Sequence, residues 1–199
     1  MNILIDELPH QVEIGGVNYK INCDFKTSIK FELLIQESEL SQHNKVVEAL
    51  KLYFNDVPKD MNTAIDCILW FYSCGKYKKT RTTNGSTEKQ YANRLYSFNY
   101  DQKYIFATFM QQYGINLTST DLHWWEFRAL FEGVSDNTIF GKILYYRGVD
   151  INSNMSKSEQ NRIRHLKEVY ALPLTMAEQK NLEELEQALE NGDISKFLT

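Results

Sequence analysis

The segment that most constrains the fold is "DLHWWEFRALFEGV", residues 121–134. Drawn as a helix with about 100° between successive residues, it has apolar side chains pointing in nearly every direction. A helix that is apolar all round is normally a buried helix, and each tryptophan in it would bury on the order of 200 Å². We therefore expect this segment to lie at the centre of a domain. Its core aromatics would be Trp124, Trp125, Phe127 and Phe131.

The N-terminus is the one part of the chain with an extended pattern. Gly15 and Gly16 separate two extended runs, Val12–Ile14 and Val17–Phe25. Two glycines supply the positive φ angles that a two-residue hairpin turn requires. We therefore expect a small β-hairpin at this end of the chain.

Helical periodicity follows almost throughout. Hydroxyl and carboxylate caps, spaced apolar residues and terminal glycines predict the helix starts and ends. The predicted helices run from Thr27 or Ser28 to Gln36, from His43 to Phe54, from Asp60 to Cys74, from Asp101 to Tyr113, from Asp121 onward, and from Ser135 or Asp136 to Arg147. The last of these is expected to turn Ile139, Ile143 and Tyr146 inward.

Two capping boxes near the end of the chain predict a helical hairpin. Ser156 is followed by Glu159 and Thr175 by Glu178, with Pro173 between the two pairs. The sequence thus predicts a mainly α protein of the α+β type, with a small N-terminal β-hairpin. Residues 1–151 would form a globular domain, and residues 152–199 a C-terminal helical hairpin packed on it.

Length and cysteine content place limits on the class of protein. A chain of 199 residues can bury roughly 70% of its unfolded surface and needs no disulfide framework. It has three cysteines, and acidic residues stand where a signal peptide would be basic. No apolar run is long enough to cross a bilayer. We expect a protein of the reducing cytoplasm with no membrane partner.

Charge is unevenly distributed along the chain. Residues 175–199 carry six acidic residues against two lysines, whereas residues 76–94 carry six basic residues against one glutamate. A loop over 76–94 that interleaves tyrosines with Lys76, Lys78, Lys79 and Arg81 could contact phosphates and stack on bases. A solvated loop explains the same composition, and the sequence favours that interpretation over nucleic-acid binding.

Neither metal chemistry nor catalysis is predicted. His123 precedes Glu126 in the opposite order to a di-iron Glu-x-x-His motif, and no second copy exists. A zincin His-Glu-x-x-His motif, a Gly-x-Ser-x-Gly elbow and a Gly-rich phosphate loop are all absent from the sequence. We expect no enzyme, no cofactor and no metal.

Five stretches carry a resemblance to a known family. These stretches are "LPHQVEIGGVNYKINCDFK" (8–26), "ILWFYSCGK" (68–76), "YSFNYDQKYIFATFMQQYGINL" (96–117), "LHWWEFRALFEGV" (122–134) and "ILYYRGVDI" (143–151). With them, over about residues 3–151, the chain resembles the phage gene-product-fifteen family of siphophages that infect Gram-positive bacteria. The Asp101–Tyr113 block and the His-Trp-Trp segment are the most specific parts of the resemblance.

The resemblance implies a role in phage tail assembly. Family members look like products of the tail module, encoded between the major tail protein and the tape-measure protein. That is the position of tail assembly chaperones, which are helical cytoplasmic proteins absent from the finished virion. The family has no catalytic residues to transfer, and its shared aromatics look like the core of the fold.

Two functions of different class follow. The first is a chaperone that binds the tape-measure protein and oligomerises along it; the second is a structural virion component, such as a tail-completion or connector protein. We expect the N-terminal hairpin to mediate self-association, because its strands have open edges. We expect the C-terminal helices to bind the partner through Leu182, Leu185 and Leu189.

Overall fold

The computed structural model describes residues 2–37, 39–77 and 94–174, together with residues 179, 183 and 187. These residues form two strands and seven helices, which confirms the mainly α fold with a small hairpin. In chain order the elements are β1 (Gln11–Ile14), β2 (Val17–Lys20), α1 (Phe25–Glu37), α2 (Gln42–Tyr53), α3 (Met61–Tyr72), α4 (Gln102–Tyr113), α5 (Trp124–Glu132), α6 (Ile139–Gly148) and α7 (Lys157–Val169).

The N-terminal hairpin forms where the sequence predicts it. Gly15 and Gly16 both have positive φ, at 61° and 78°, and join β1 to β2 in an antiparallel pair. Val12 and Ile14 turn inward and are buried, whereas Gln11 and Glu13 face solvent. The second extended run is shorter than expected, because Phe25 begins α1 instead of ending a strand.

The start of α1 differs from the prediction. Thr27 and Ser28 were expected to cap this helix, but both are buried inside it, and the Ser28 hydroxyl accepts a hydrogen bond from Tyr53 at 2.8 Å. The backbone N–H of Phe25 donates to the carbonyl of Leu122 at 3.1 Å. This long-range contact sets the position of the first turn, and a local capping pattern cannot reveal it.

Helices α2, α3 and α4 begin and end close to the predicted positions. Ser41 caps α2 and Asp60 caps α3, each accepting a backbone N–H with its side chain. Gly114 ends α4 in the left-handed conformation, with φ of 67°. Asp101 occupies the N-cap position of α4 but makes no side-chain cap, because its carboxylate is bound to Arg147.

Helices α5 and α6 begin later than the sequence predicts. Residues 121–123 run beside Cys23 and Asp24, and the Trp124 N–H donates to the Cys23 carbonyl at 2.7 Å, so α5 starts at Trp124 and not near Asp121. Thr138, not Ser135 or Asp136, caps α6 by accepting the Gly141 N–H at 3.1 Å. Ile139 was expected inside but is partly exposed, whereas Ile143 is fully buried.

Helix α7 packs on α6. Ser156 caps it as predicted, while the Glu159 carboxylate pairs with Arg162. Ile163 is fully buried, and the Lys167 ammonium donates to the Arg147 carbonyl at 2.9 Å. Within the second helix of the predicted C-terminal hairpin, Gln179, Glu183 and Gln187 are described and helical, whereas its Thr175 cap lies outside the described residues.

One aromatic cluster joins α1, α4 and α5 in the core. Phe127 of α5 is fully buried and stacks on Phe25 of α1 at 4.9 Å and on Phe109 of α4 at 5.2 Å between ring centroids. Trp124 and Phe131 extend this stack along α5. Helix α5 is therefore central, although its opposite side exposes Glu126, Ala129 and Glu132.

None of the helices in the described part of the chain is both long and apolar enough to span a bilayer.

Candidate functional site

An open apolar groove runs between α1 and α4. Its volume is about 1050 Å³, and its two long walls come from these helices, with the turn before α4 at one end. Ile29 and Leu33 of α1 form one wall, while Ile105 and Phe106 of α4 form the other.

The floor of the groove is the aromatic core itself. Phe25, Phe98 and Phe127 line it and are buried. The rim is polar and includes Gln102, Lys103 and Thr118. An apolar floor with a polar rim is the arrangement that lets an amphipathic helix lay its apolar stripe into a groove.

The His123-x-x-Glu126 pair caps α5. The Nδ1 atom of His123 accepts the Trp125 N–H at 3.1 Å, and Glu126 Oε2 accepts the His123 N–H at 2.9 Å. This is a capping box in which each side chain satisfies a backbone donor that the helix leaves free. Burial lowers the pKa of His123 and thus favours the neutral imidazole, whose Nδ1 can accept this hydrogen bond.

The two tryptophans of α5 also close the end of α3. The indole N–H of Trp124 donates to the Tyr72 carbonyl and that of Trp125 to the Phe71 carbonyl, both at 2.8 Å. The last carbonyls of a helix have no partner within the helix. Trp124 supplies a donor to the Tyr72 carbonyl, and Trp125 adds a second donor to the Phe71 carbonyl, which also accepts the Cys74 N–H at 3.0 Å. The pair therefore has a polar role besides filling the core.

A buried polar cluster is centred on Glu32 of α1. Glu32 is 6% exposed and accepts hydrogen bonds from Tyr72 and from Gln36. Burial raises the pKa of its carboxyl, although the hydrogen bonds to Tyr72 and Gln36 and the nearby Arg128 oppose that shift. The fold therefore disfavours the charged form of the Glu32 carboxyl.

The hairpin forms a sheet of two strands, so each strand has one edge without a strand neighbour in the described part of the chain. Val17 at the turn is 54% exposed. Such edges can pair with a strand of another chain. Self-association through the hairpin, which the sequence analysis expects, would use this kind of pairing.

Some residues singled out in the sequence belong to the described part of the chain and others do not. Lys78, Lys79 and Arg81 of the basic loop lie outside the described residues, as do Leu182, Leu185 and Leu189 of the acidic tail. Lys76 is described and exposed, just after the end of α3. The four core aromatics are described, and all are buried.

The apolar groove and a second cavity, lined by His10 and His123, were not found from the sequence. Both are assembled from residues far apart in the chain, such as Phe25 with Phe106 and His10 with His123. No local pattern in the sequence marks either of them.

Comparison with known families identifies the chain as a bacteriophage protein. It belongs to the family described as Bacteriophage Gp15 protein, whose model matches residues 4–172. The match takes in every strand and helix from β1 to α7, and therefore extends past residue 151, where the resemblance seen in the sequence stops. No curated protein and no solved structure matches the chain.

Proposed function

We propose that this protein is a tail assembly chaperone that binds the phage tape-measure protein in the host cytoplasm and has no enzymatic activity. The observation that carries the proposal is the open groove between α1 and α4, whose apolar floor and polar rim suit an amphipathic helix. Membership of the Gp15 family supplies the phage context.

The physical need for such a protein comes from the partner. A tape-measure protein is a very long helix with apolar stripes, and it must stay soluble and extended until tail-tube subunits polymerise around it. Copies of a chaperone bound along it would cover these stripes. The acidic residues of 175–199 would keep the complex soluble and allow the tube to displace the chaperone later.

Substitution in the groove tests this surface. Phe106 is a half-buried wall residue, so Phe106→Glu places a charge in the groove and should abolish capture of tape-measure segments in a pull-down. Ile35→Glu is the matched control, because Ile35 is 46% exposed on α1 and is not a groove residue. Equal capture by the two folded variants would contradict the groove as the binding surface.

The C-terminal segment is the alternative binding surface within the same function. Removal of residues 175–199 deletes Leu182, Leu185 and Leu189 together with six acidic residues. If these leucines bind the partner, the truncated protein loses tape-measure capture while Phe106→Glu retains it. If the groove binds the partner, the two results are reversed.

A structural virion component is the second candidate, and the open edges of the two-stranded hairpin favour it. In that role the hairpin would add strands to a neighbouring tail protein. Mass spectrometry of purified virions separates the two classes, because a chaperone should be absent from the particle and a connector should be present.

Nucleic-acid binding through residues 76–94 is the third candidate. Its described residues are the exposed Lys76, the half-buried Tyr77 and Arg94, whose guanidinium donates to the Pro173 carbonyl at 2.6 Å. It requires binding of single-stranded DNA or RNA that weakens steeply with salt, and absence of binding at low salt would eliminate it.

A further inference from the structure

Three potential metal ligands from separate parts of the chain meet beside the hairpin. They are His10 before β1, Cys23 after β2 and His123 at the start of α5, and their ligand atoms all lie within 4.8 Å of one another. His10 Nδ1 lies 3.1 Å from Cys23 Sγ, and the rings of His10 and His123 are 5.4 Å apart. Sequence spacing gave no sign of this cluster, since His10 and His123 are far apart along the chain.

These distances suit a tetrahedral zinc ion. With a Zn–S bond of about 2.3 Å and a Zn–N bond of about 2.0–2.1 Å, sulfur and nitrogen ligands lie roughly 3.6 Å apart. The His10–Cys23 separation of 3.1 Å is slightly shorter, and the upper limit of 4.8 Å is longer. Side-chain rotation must therefore shorten the longer separation before all three atoms can surround one ion.

The surroundings of the cluster are acidic and open to solvent. It lies in a cavity of about 550 Å³ whose walls, as far as the described residues form them, include four carboxylate residues and no lysine or arginine. One of them, Asp24, has a buried Oδ1 atom with no hydrogen-bond partner within the described chain. A cavity with this excess of negative charge favours a cation. The carboxylate residues are Glu7, Asp24, Asp121 and Glu126.

We propose that His10, Cys23 and His123 bind a divalent transition-metal ion, and that Zn²⁺ is the ion that fits best. Imidazole and thiolate are ligands that zinc prefers over the hard cations Mg²⁺ and Ca²⁺. Binding forms one bond to sulfur and two to nitrogen, and the thiol proton of Cys23 passes to water. A fourth position remains for water or a carboxylate from the cavity wall.

Binding must replace one hydrogen bond of His123. Its Nδ1 atom accepts the Trp125 N–H, and its Nε2 atom contacts the Pro9 carbonyl at 3.1 Å. With Nδ1 as the ligand, the Nε2–H bond to Pro9 is kept, and such a carbonyl partner is usual for metal-bound histidines. The Trp125 N–H then loses its acceptor, which reduces the affinity of the site. The bound ion ties the N-terminal segment, the hairpin and α5 together.

Cobalt binding to the full-length, reduced, metal-free protein tests this proposal directly. Titration with Co²⁺ should give a thiolate-to-cobalt charge-transfer band that saturates at one equivalent, and added Zn²⁺ should remove it. Zn²⁺ should also raise the Tm of the protein. Cys23→Ser and His10→Asn should each abolish the band and the Tm shift.

The control variants are Cys67→Ser and His165→Asn, because Cys67 is another half-buried free thiol and His165 is an exposed histidine on α7. Both should retain the band. His10 is exposed, so His10→Asn keeps the test valid even if Cys23→Ser fails to fold. Absence of a sulfur-to-cobalt band, or a band unchanged in His10→Asn, would overturn the proposal. The proposal stands whether or not the protein binds a tape measure.

Discussion

At the scale of single residues, the polar groups enclosed by the core determine how the protein responds to pH. Glu32 is the buried carboxyl whose pKa burial raises above its ordinary value of 4.5. A carboxyl with a raised pKa in the folded state favours folding when it is protonated. Its contribution to stability is complete below pH 4.5 and is lost as the pH rises through the folded-state pKa.

Glu32→Gln should remove this pH dependence. The amide is neutral and its oxygen can still accept from Tyr72, so the variant should lose less Tm than the wild-type protein as the pH rises from the acidic range to neutrality. Thermal unfolding by circular dichroism across that range measures the difference. The exposed Glu39 provides the control Glu39→Gln, which should follow the wild-type curve. Parallel curves for Glu32→Gln and wild type would contradict this account.

A buried ion pair also holds α4 to α6. Arg147 binds both carboxylate oxygens of Asp101, at 2.6 and 2.8 Å, and donates to the carbonyls of Leu95 and Tyr170. The two side chains are 8% and 1% exposed. Both charges are therefore removed from water and satisfied by each other and by the backbone.

Asp101→Ala should lower the free energy of unfolding by about 3–5 kcal/mol, because it leaves the Arg147 charge buried without its partner. Chemical denaturation measures this loss. The exposed pair of Lys51 and Glu48 is the comparison, and Glu48→Ala should cost less than about 1 kcal/mol. A similar cost for the two variants would show that Arg147 relaxes into solvent.

At the scale of elements, α5 is both the centre of the core and the cap of α3. The indole N–H of Trp125 donates to the Phe71 carbonyl at 2.8 Å, and Trp125 is 4% exposed. Trp125→Phe keeps an aromatic ring but removes the indole donor, and the Phe71 carbonyl keeps the Cys74 N–H at 3.0 Å. We expect a loss of about 0.5–1.5 kcal/mol in the free energy of unfolding.

Amide hydrogen exchange locates that loss. The increase in amide exchange rate should be largest at the end of α3 in Trp125→Phe. Trp70→Phe alters the neighbouring indole, which meets Trp125 at 5.5 Å, and touches neither indole-to-carbonyl bond. If both variants lose the same stability without faster exchange near Phe71, the capping role of Trp125 is wrong.

Most of the elements could be predicted because their signals are local. Gly15 and Gly16 identify the hairpin turn, and Asp60 and Ser156 occupy the N-cap positions of α3 and α7. Helix α2 begins at Gln42, one residue before the predicted start at His43. The starts of α1 and α5 were mispredicted because they depend on hydrogen bonds between residues 23–25 and 122–124. Such contacts exist only once the chain has folded, and a pattern within one segment contains no record of them.

At the scale of the whole molecule, the same limit applies to the candidate sites. The apolar groove combines residues between Phe25 and Phe127, and the metal-ligand cluster combines residues between His10 and His123, so both bring together side chains far apart in the sequence. The sequence identified His123 but paired it with Glu126, which is its capping partner and is close to it in the chain. Sequence could predict that Phe127 is buried, but not that it forms the floor of a groove between α1 and α4.

We propose that this Gp15-family protein keeps a tape-measure protein soluble by covering its apolar stripe. The decisive experiment is size-exclusion chromatography with light scattering on the tape-measure protein of the same phage, expressed with and without this chain. We expect co-elution as a large complex with many copies of the chain, and insolubility of the tape-measure protein when the chain is omitted. A free chain beside a tape-measure protein whose solubility is unchanged would contradict it.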